Sequence, residues 1–194
     1  MGIVRHVNDT VPLTGEPLAL DLVNTRTAAG DLLAVPADLH AWLRLQADRF
    51  GEAAELAAAD LTAADLSAVR DVRDRTARVL DHVRRGERPA DGDLDALNRA
   101  QRAAPAVAAL TWDGAALTAP RRRTGPPGDR LAAWLAEAAA ELPADPAVTR
   151  IRRCEADDCV LLFLPSHPRR RWCSAARCGN RVRVARHYRR HRPA

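Results

Sequence analysis

Leu18, Leu20 and Leu22 alternate along Pro17-Leu-Ala-Leu-Asp-Leu-Val-Asn-Thr25, with Val23 opposite, and this period of two predicts a strand. The period then lengthens. Pro36 suits a first helical position, and Leu39, Trp42, Leu43 and Gln46 follow on one side of a helix reaching about Arg49. Thr62 with Asp65 three residues on has the form of a capping box. It opens a helix over 63–85, with Leu66, Val69, Arg73, Thr76, Leu80 and Val83 near helical spacing and Gly86 as its stop. A shorter helix is expected from Asp91 or Asp93 to about Ala103, ending before Pro105.

Val107–Trp112 and Ala115–Ala119 flank Asp113-Gly114, a pair that predicts a tight hairpin because the primed turns need positive φ. Residues 121–128 read as a polar connection. Asp129 can then cap a helix carrying Leu131, Trp134, Leu135 and Ala138, which stops before Pro143. Two prolines in Pro143-Ala-Asp-Pro146 mark the expected boundary between a domain over 1–145 and a smaller one over 146–194. The chain is long enough to bury a real core, and no apolar run is long enough to span a bilayer.

Charge sharpens the division. All 30 basic residues are arginine. Residues 150–194 hold thirteen of them against three acids, a balance of +10, whereas residues 1–149 are at −5. A basic module on an acidic body attracts polyanions through one end only.

That module also holds all four cysteines, as Cys154/Cys159 and Cys173/Cys178. Two short loops bearing paired thiolates suit one closed, structural Zn²⁺ site. Disulfides fit poorly, since the first residues lack the pattern of a signal peptide and the expected compartment is the reducing cytoplasm. An iron–sulfur cluster or free thiols are the other readings. His167 is a further ligand candidate but more in keeping with an incidental loop residue, and His187 and His191 with solvent or phosphate.

Within the module, Ile151–Cys154 reads as a short strand, Cys154–Cys159 as a knuckle, and Val160–Leu164 as a strand returned by Arg169–Trp172. Ser174 can cap a helix to about Arg190, whose Val182, Ala185 and Tyr188 can pack against the Phe163 side of the hairpin. Trp172 shields the metal. Arg177, Arg181, Arg183, Arg186, Arg189 and Arg190 on the helix, with Arg169, Arg170 and Arg171 beside it, suit phosphate. The knuckle acids Glu155, Asp157 and Asp158 pair locally rather than forming a catalytic dyad.

Cys178-Gly179-Asn180-Arg181, at the fourth cysteine of this array, resembles the signature of the CGNR zinc-finger family. Leu18–Thr25 and Leu39–Leu43 resemble the opening of the ABATE domain that precedes such fingers. The resemblance implies an α+β chain: a mixed α/β domain, then a small treble-clef-like zinc finger with four cysteine ligands, in stress-associated bacterial transcription regulators that bind DNA. It makes the four cysteines zinc ligands, has Gly179 relieve crowding near the metal, and turns Asn180 to a loop or a sulfur. Arg181 then faces phosphate or the acidic knuckle.

The functional expectation is a DNA-binding regulator, acting as a homodimer or through a second contact because one finger covers few base pairs. A zinc-stabilised protein- or RNA-interaction module is the alternative. Asp21, Asn24, Thr25 and Arg26 are candidates for a small-molecule effector pocket, although buried polar groups satisfying backbone are the ordinary explanation. No phosphate-cradling glycine loop, nucleophile elbow or H-E-x-x-H occurs, so no enzyme is expected.

Overall fold

A computed structural model describes residues 14–191. Helices dominate. In chain order they are α1 (Leu18–Val23), α2 (Pro36–Gln46), α3 (Gly51–Ala57), α4 (Ala63–Arg84), α5 (Asp91–Ala103), α6 (Pro127–Ala144) and α7 (Asn180–His191). Among the described residues eight two-residue strands pair antiparallel: β1 (Arg26–Thr27) with β2 (Gly30–Asp31), β3 (Val107–Ala108) with β6 (Arg121–Arg122), β4 (Thr111–Trp112) with β5 (Leu117–Thr118), and β7 (Arg152–Arg153) with β8 (Leu162–Phe163). The chain is α+β, as expected.

The first element is not. Residues 18–23 form a helix rather than a strand. Leu18, Ala19, Leu20, Asp21 and Leu22 are all buried, so the run is enclosed on every side and its alternation has no solvent face to report. A short apolar run of this kind is ambiguous between buried helix and strand. Pro17 fixes the entry, and α1 packs against α4, α6 and β8.

α4, α5 and α6 pack on one another and carry the main core, including Leu66, Val69, Val72, Val79, Leu97, Leu131 and Leu135. α2 and α3 close it with Leu39, Trp42, Leu43 and Leu56. The capping box is present: Asp65 N donates to Thr62 Oγ1, and Thr62 N donates to Asp65 Oδ2 at 2.7 Å. Arg73, on the buried side of α4, binds both carboxylate oxygens of Asp31 at 2.7 and 2.8 Å and fastens the β1–β2 hairpin down. α6 begins earlier than Asp129 predicts, at Pro127, a residue preorganised for a first helical turn. Its Gly128 lies so close to the Asp65 carboxyl that a Cβ there would collide with it. Pro143 lies one residue before the end of α6, which runs past it only to Ala144. A 3₁₀ turn, Pro146–Arg150, follows after the extended Asp145, whose side chain accepts from Ala147 N at 2.7 Å.

The predicted hairpin extends further than expected. Val107 faces Arg122 and Trp112 faces Leu117, one register throughout, so Arg121–Arg122 is strand rather than connection. Ala109 N donates to Pro120 O at 3.0 Å, and the pairing is interrupted there because proline has no N–H to return. Trp112–Leu117 pairing puts Gly114-Ala115 in the loop, one residue on from Asp113-Gly114. The positive φ, 100°, falls on Gly114, the first loop position, where a II′-type turn needs glycine.

Candidate metal centre and basic surface

Cys154, Cys159, Cys173 and Cys178 are buried, free of disulfides, and converge with their sulfurs all within 4.8 Å of one another. Cys159 and Cys173 Sγ are 3.8 Å apart, and Cys173 and Cys178 Sγ 3.5 Å. Four thiolates around tetrahedral zinc at about 2.3 Å require sulfurs separated by about 3.8 Å. A disulfide would need about 2 Å. The donor set therefore fits one zinc ion.

Local backbone explains the convergence. Cys154 N donates to Leu161 O at 2.9 Å and Cys159 N to Ala156 O at 3.0 Å, which closes the knuckle over the β7–β8 ladder. The hairpin beside the site is thus built by the knuckle's own flanks, not by Val160–Leu164 with Arg169–Trp172; the latter supplies Arg171 O as acceptor for Glu155 N at 3.1 Å. Ser174 Oγ accepts from Arg177 N, as expected of a cap. The turn it opens is wider than an α-turn, with Gly179 N reaching back to Ser174 O at 3.0 Å, and it places Cys178 beside Cys173. Phe163, Leu161, Ala156, Trp172 and Val182 pack around the sulfurs.

Electrostatics call for a cation there. Burial and neighbouring sulfur charge push the Cys173 thiol far up, and burial takes Cys178 up to about 11. Four thiols so close cannot all ionise unless positive charge enters between them. Arg181 contributes some: its Nη2 lies 3.5 Å from Cys178 Sγ and 2.6 Å from Asp158 Oδ1. Of the two expected roles, Arg181 takes the acidic-knuckle one. Gly179 is a correction. A methyl group there would meet Ser174 O and the Trp172 ring at 3.6 Å, ordinary contact, so crowding does not demand glycine. Asn180 is exposed.

The arginines divide into two sets. Arg183, Arg186 and Arg190 are exposed on α7 without an ion pair among the described residues, and Arg169 is likewise open. Arg189 lies on α7 with its side chain outside the described residues. Arg171 is tied to Glu155 at 2.5 Å and Arg177 is half-buried. Arg170 is committed inward. It binds Glu16 Oε1 at 2.5 Å and Cys173 O at 2.6 Å, and its guanidinium stacks over Phe163 at 4.5 Å. Beyond Val182, α7 leaves the body: Val184 is exposed and Tyr188 is 71% exposed, so neither Tyr188 nor the exposed Ala185 packs on the hairpin. His167 is occupied as an acceptor, its Nδ1 taking Arg169 N at 3.1 Å, while His187 and His191 stack on each other.

Residues 16–146 match the ABATE family, described as "Putative stress-induced transcription regulator", and residues 150–191 match the CGNR zinc finger. The chain belongs to the ABATE family. No curated protein matches it.

The ABATE region and the finger share a core, in which Leu20, Leu80, Leu142, Val148 and Ile151 pack with Leu162 and Leu164. Two polar residues of the ABATE region hold the finger's β8. Asn24 Nδ2 donates to Leu162 O, Asn24 Oδ1 accepts from Leu162 N, and Glu16 Oε2 accepts from Leu164 N, all at 2.8 Å. Nothing in the sequence marks these pairings, which join residues about 140 apart.

The four pocket candidates do not form one site. Asp21 is fully buried and receives Glu16 N, Gln46 and Arg49; burial pushes its carboxyl up to about 6. Thr25 donates to Leu22 O, and Arg26 reaches Asp74 at the surface. Asn24 and Arg26 do line a cleft of about 530 Å³ with Arg84 and Arg153, where α4 meets the finger.

Proposed function

We propose that this ABATE protein is a DNA-binding transcription regulator whose CGNR finger folds around one structural zinc and meets DNA through α7. The observation that carries this reading is the row Arg183, Arg186 and Arg190, spaced i, i+3 and i+7 on one helix face, exposed and making no salt bridge among the described residues, with Arg186 in the field of Glu155 but not bonded to it. Arginines already paired to Asp158, Glu155 or Glu16 would have to break those bonds to reach phosphate, whereas this row would not. Knuckle, short hairpin and helix, in that order, support a treble clef. Zinc here is structural: four thiolates leave no open coordination position, so it adds folding energy rather than chemistry.

Labour is divided between an ABATE domain over 1–145 and a finger over 146–194, a reading supported by family matches over 16–146 and 150–191. The cleft beside Asn24 and Arg26, between α4 and the finger, is the place for a small effector. Cytoplasmic action and no enzymatic activity go with this reading. Among the described residues no helix is long and apolar enough to cross a membrane.

Binding of the zinc-loaded protein to duplex DNA is expected to fall steeply as salt rises. The triple variant Arg183→Gln/Arg186→Gln/Arg190→Gln should flatten the log–log salt slope by about 3, roughly one for each phosphate left without its arginine. A flat response in the parent protein excludes the phosphate mechanism. Tighter binding of RNA of the same length, or of neither nucleic acid, favours the RNA- or protein-interaction alternative.

A further inference from the structure

A cavity of about 540 Å³ opens between α1, α3 and α6 and shares no lining residue with the cleft beside Asn24 and Arg26. Its volume suits a drug-sized ligand. The floor is apolar: Leu18, Phe50, Trp134, Leu142 and Leu164 line it, the last of them from the finger. Phe50 and Trp134 meet edge to face with ring centres 5.6 Å apart. Such a floor holds a ligand body that gains by leaving water. Arg49 already lies over the Phe50 ring at 4.9 Å, so that ring is one on which a cation rests.

Charge selects the sign of the ligand. Glu52, Glu137, Glu141 and Asp145 line the cavity against Arg49, Arg121 and Arg123. Each of these arginines is already engaged. Arg49 binds the buried Asp21 and the Glu16 carbonyl, Arg123 binds Glu52 at 2.9 Å and also Glu137, and Arg121 lies 3.5 Å from Glu137. Glu141 and Asp145 are exposed and have no ion pair among the described residues, and the Asp145 side chain accepts from Ala147 N. Both stand at the C-terminal end of α6, whose last turn carries no basic side chain. There the negative end of the helix dipole adds to two free carboxylates, and a cation is stabilised.

We propose that this cavity binds a lipophilic organic cation, its charged centre beside Glu141 and Asp145 and its apolar body against Phe50, Trp134 and Leu164. A hydrated metal ion would gain nothing from the apolar floor. An anion would face unpaired carboxylates with every lining guanidinium engaged. An alkylated ammonium is attracted by ring faces as well as by carboxylates, which is the combination found here. The site goes beyond the DNA-binding reading and does not depend on it.

Calorimetric titration of the zinc-loaded full chain tests it, with benzyl(hydroxyethyl)dimethylammonium and the uncharged alcohol in which carbon replaces the nitrogen. The cation is expected to bind about tenfold tighter than the alcohol, since the two share a shape and differ in charge. Glu141→Gln/Asp145→Asn should remove that advantage and leave the affinity for the alcohol unchanged. Both side chains are exposed and asparagine keeps the acceptor for Ala147 N, so the fold stays intact. Proton cross-relaxation from the benzyl ring to the Leu164 methyls and the Trp134 indole should place the probe in this cavity. Equal affinities, no binding of the cation, a double variant that binds like the parent, or cross-relaxation to other residues alone would each overturn the inference.

Discussion

Asn24 completes the edge of the finger's β8 by pairing with both backbone groups of Leu162, donating through Nδ2 and accepting through Oδ1 at 2.8 Å. The side chain is 2% exposed and spans two family modules as one more strand residue would. Asn24→Ala removes both partners of the part-buried Leu162 N–H and C=O, at about 1 kcal/mol each because water can reach them through the neighbouring cleft. Zinc-loaded Asn24→Ala should melt well below the parent, with earlier proteolysis between residues 146 and 165. An unchanged melting curve would show that the apolar contacts alone hold the modules together.

Arg170 and the outer arginines of α7 should separate stability from binding. Arg170→Gln breaks a part-buried pair with Glu16 and the bonds to the Cys173 and Trp172 carbonyls. Losing about 2–3 kcal/mol lowers Tm by roughly 5–10 °C in a chain of this size. The salt slope of DNA binding should stay near that of the parent. If instead Arg170→Gln melts normally and loses slope, the residue faces DNA.

Metal removal is the broadest test of the finger. Elemental analysis should give one zinc per chain, and a strong chelator should erase the circular-dichroism signal of α7 while leaving that of α4–α6. Structural zinc supplies about 10–16 kcal/mol of folding free energy in small fingers, far more than the few side chains around these sulfurs. Cys173→Ser should behave like the chelated protein. A metal-free chain with an intact α7 is the contrary result.

Asp21 makes the pH prediction. Its carboxyl is held neutral up to about 6 against an ordinary 3.8, first because it is buried, and in spite of the opposing Arg49. Folding therefore takes up a proton between these values. The contribution is fully present below about pH 4 and is lost as pH rises through 6, about 3 kcal/mol in all. Carbon-13 titration of the side chain should show a midpoint near 6, and Asp21→Asn should flatten the stability change between pH 4 and 7. A midpoint near 4 contradicts it.

Local chemistry made much of this molecule readable in its sequence. Thr62 and Asp65 announce α4 because the capping box is complete within four residues. The cysteine pairs announce the metal centre because each knuckle is a local turn. What stayed hidden depends on neighbours distant in sequence. Leu18–Val23 reads as a strand until it is known to be buried all round. Arg170 reads as a phosphate ligand until Glu16 is seen beneath it. The short helix Gly51–Ala57 has no cap or stop of its own to announce it, and Arg121–Arg122 hides its strand pairing because proline interrupts the ladder next to it. Gly179 shows the reverse error, a family-signature residue whose role is not steric.

Gly128 carries a consequence for any future variation of this chain. Because the Asp65 carboxyl fills the space a side chain would need there, even alanine at 128 would have to push that carboxyl off Thr62. Damage at the front of α6 would then surface as fraying at the front of α4, so the two helix starts can change only together.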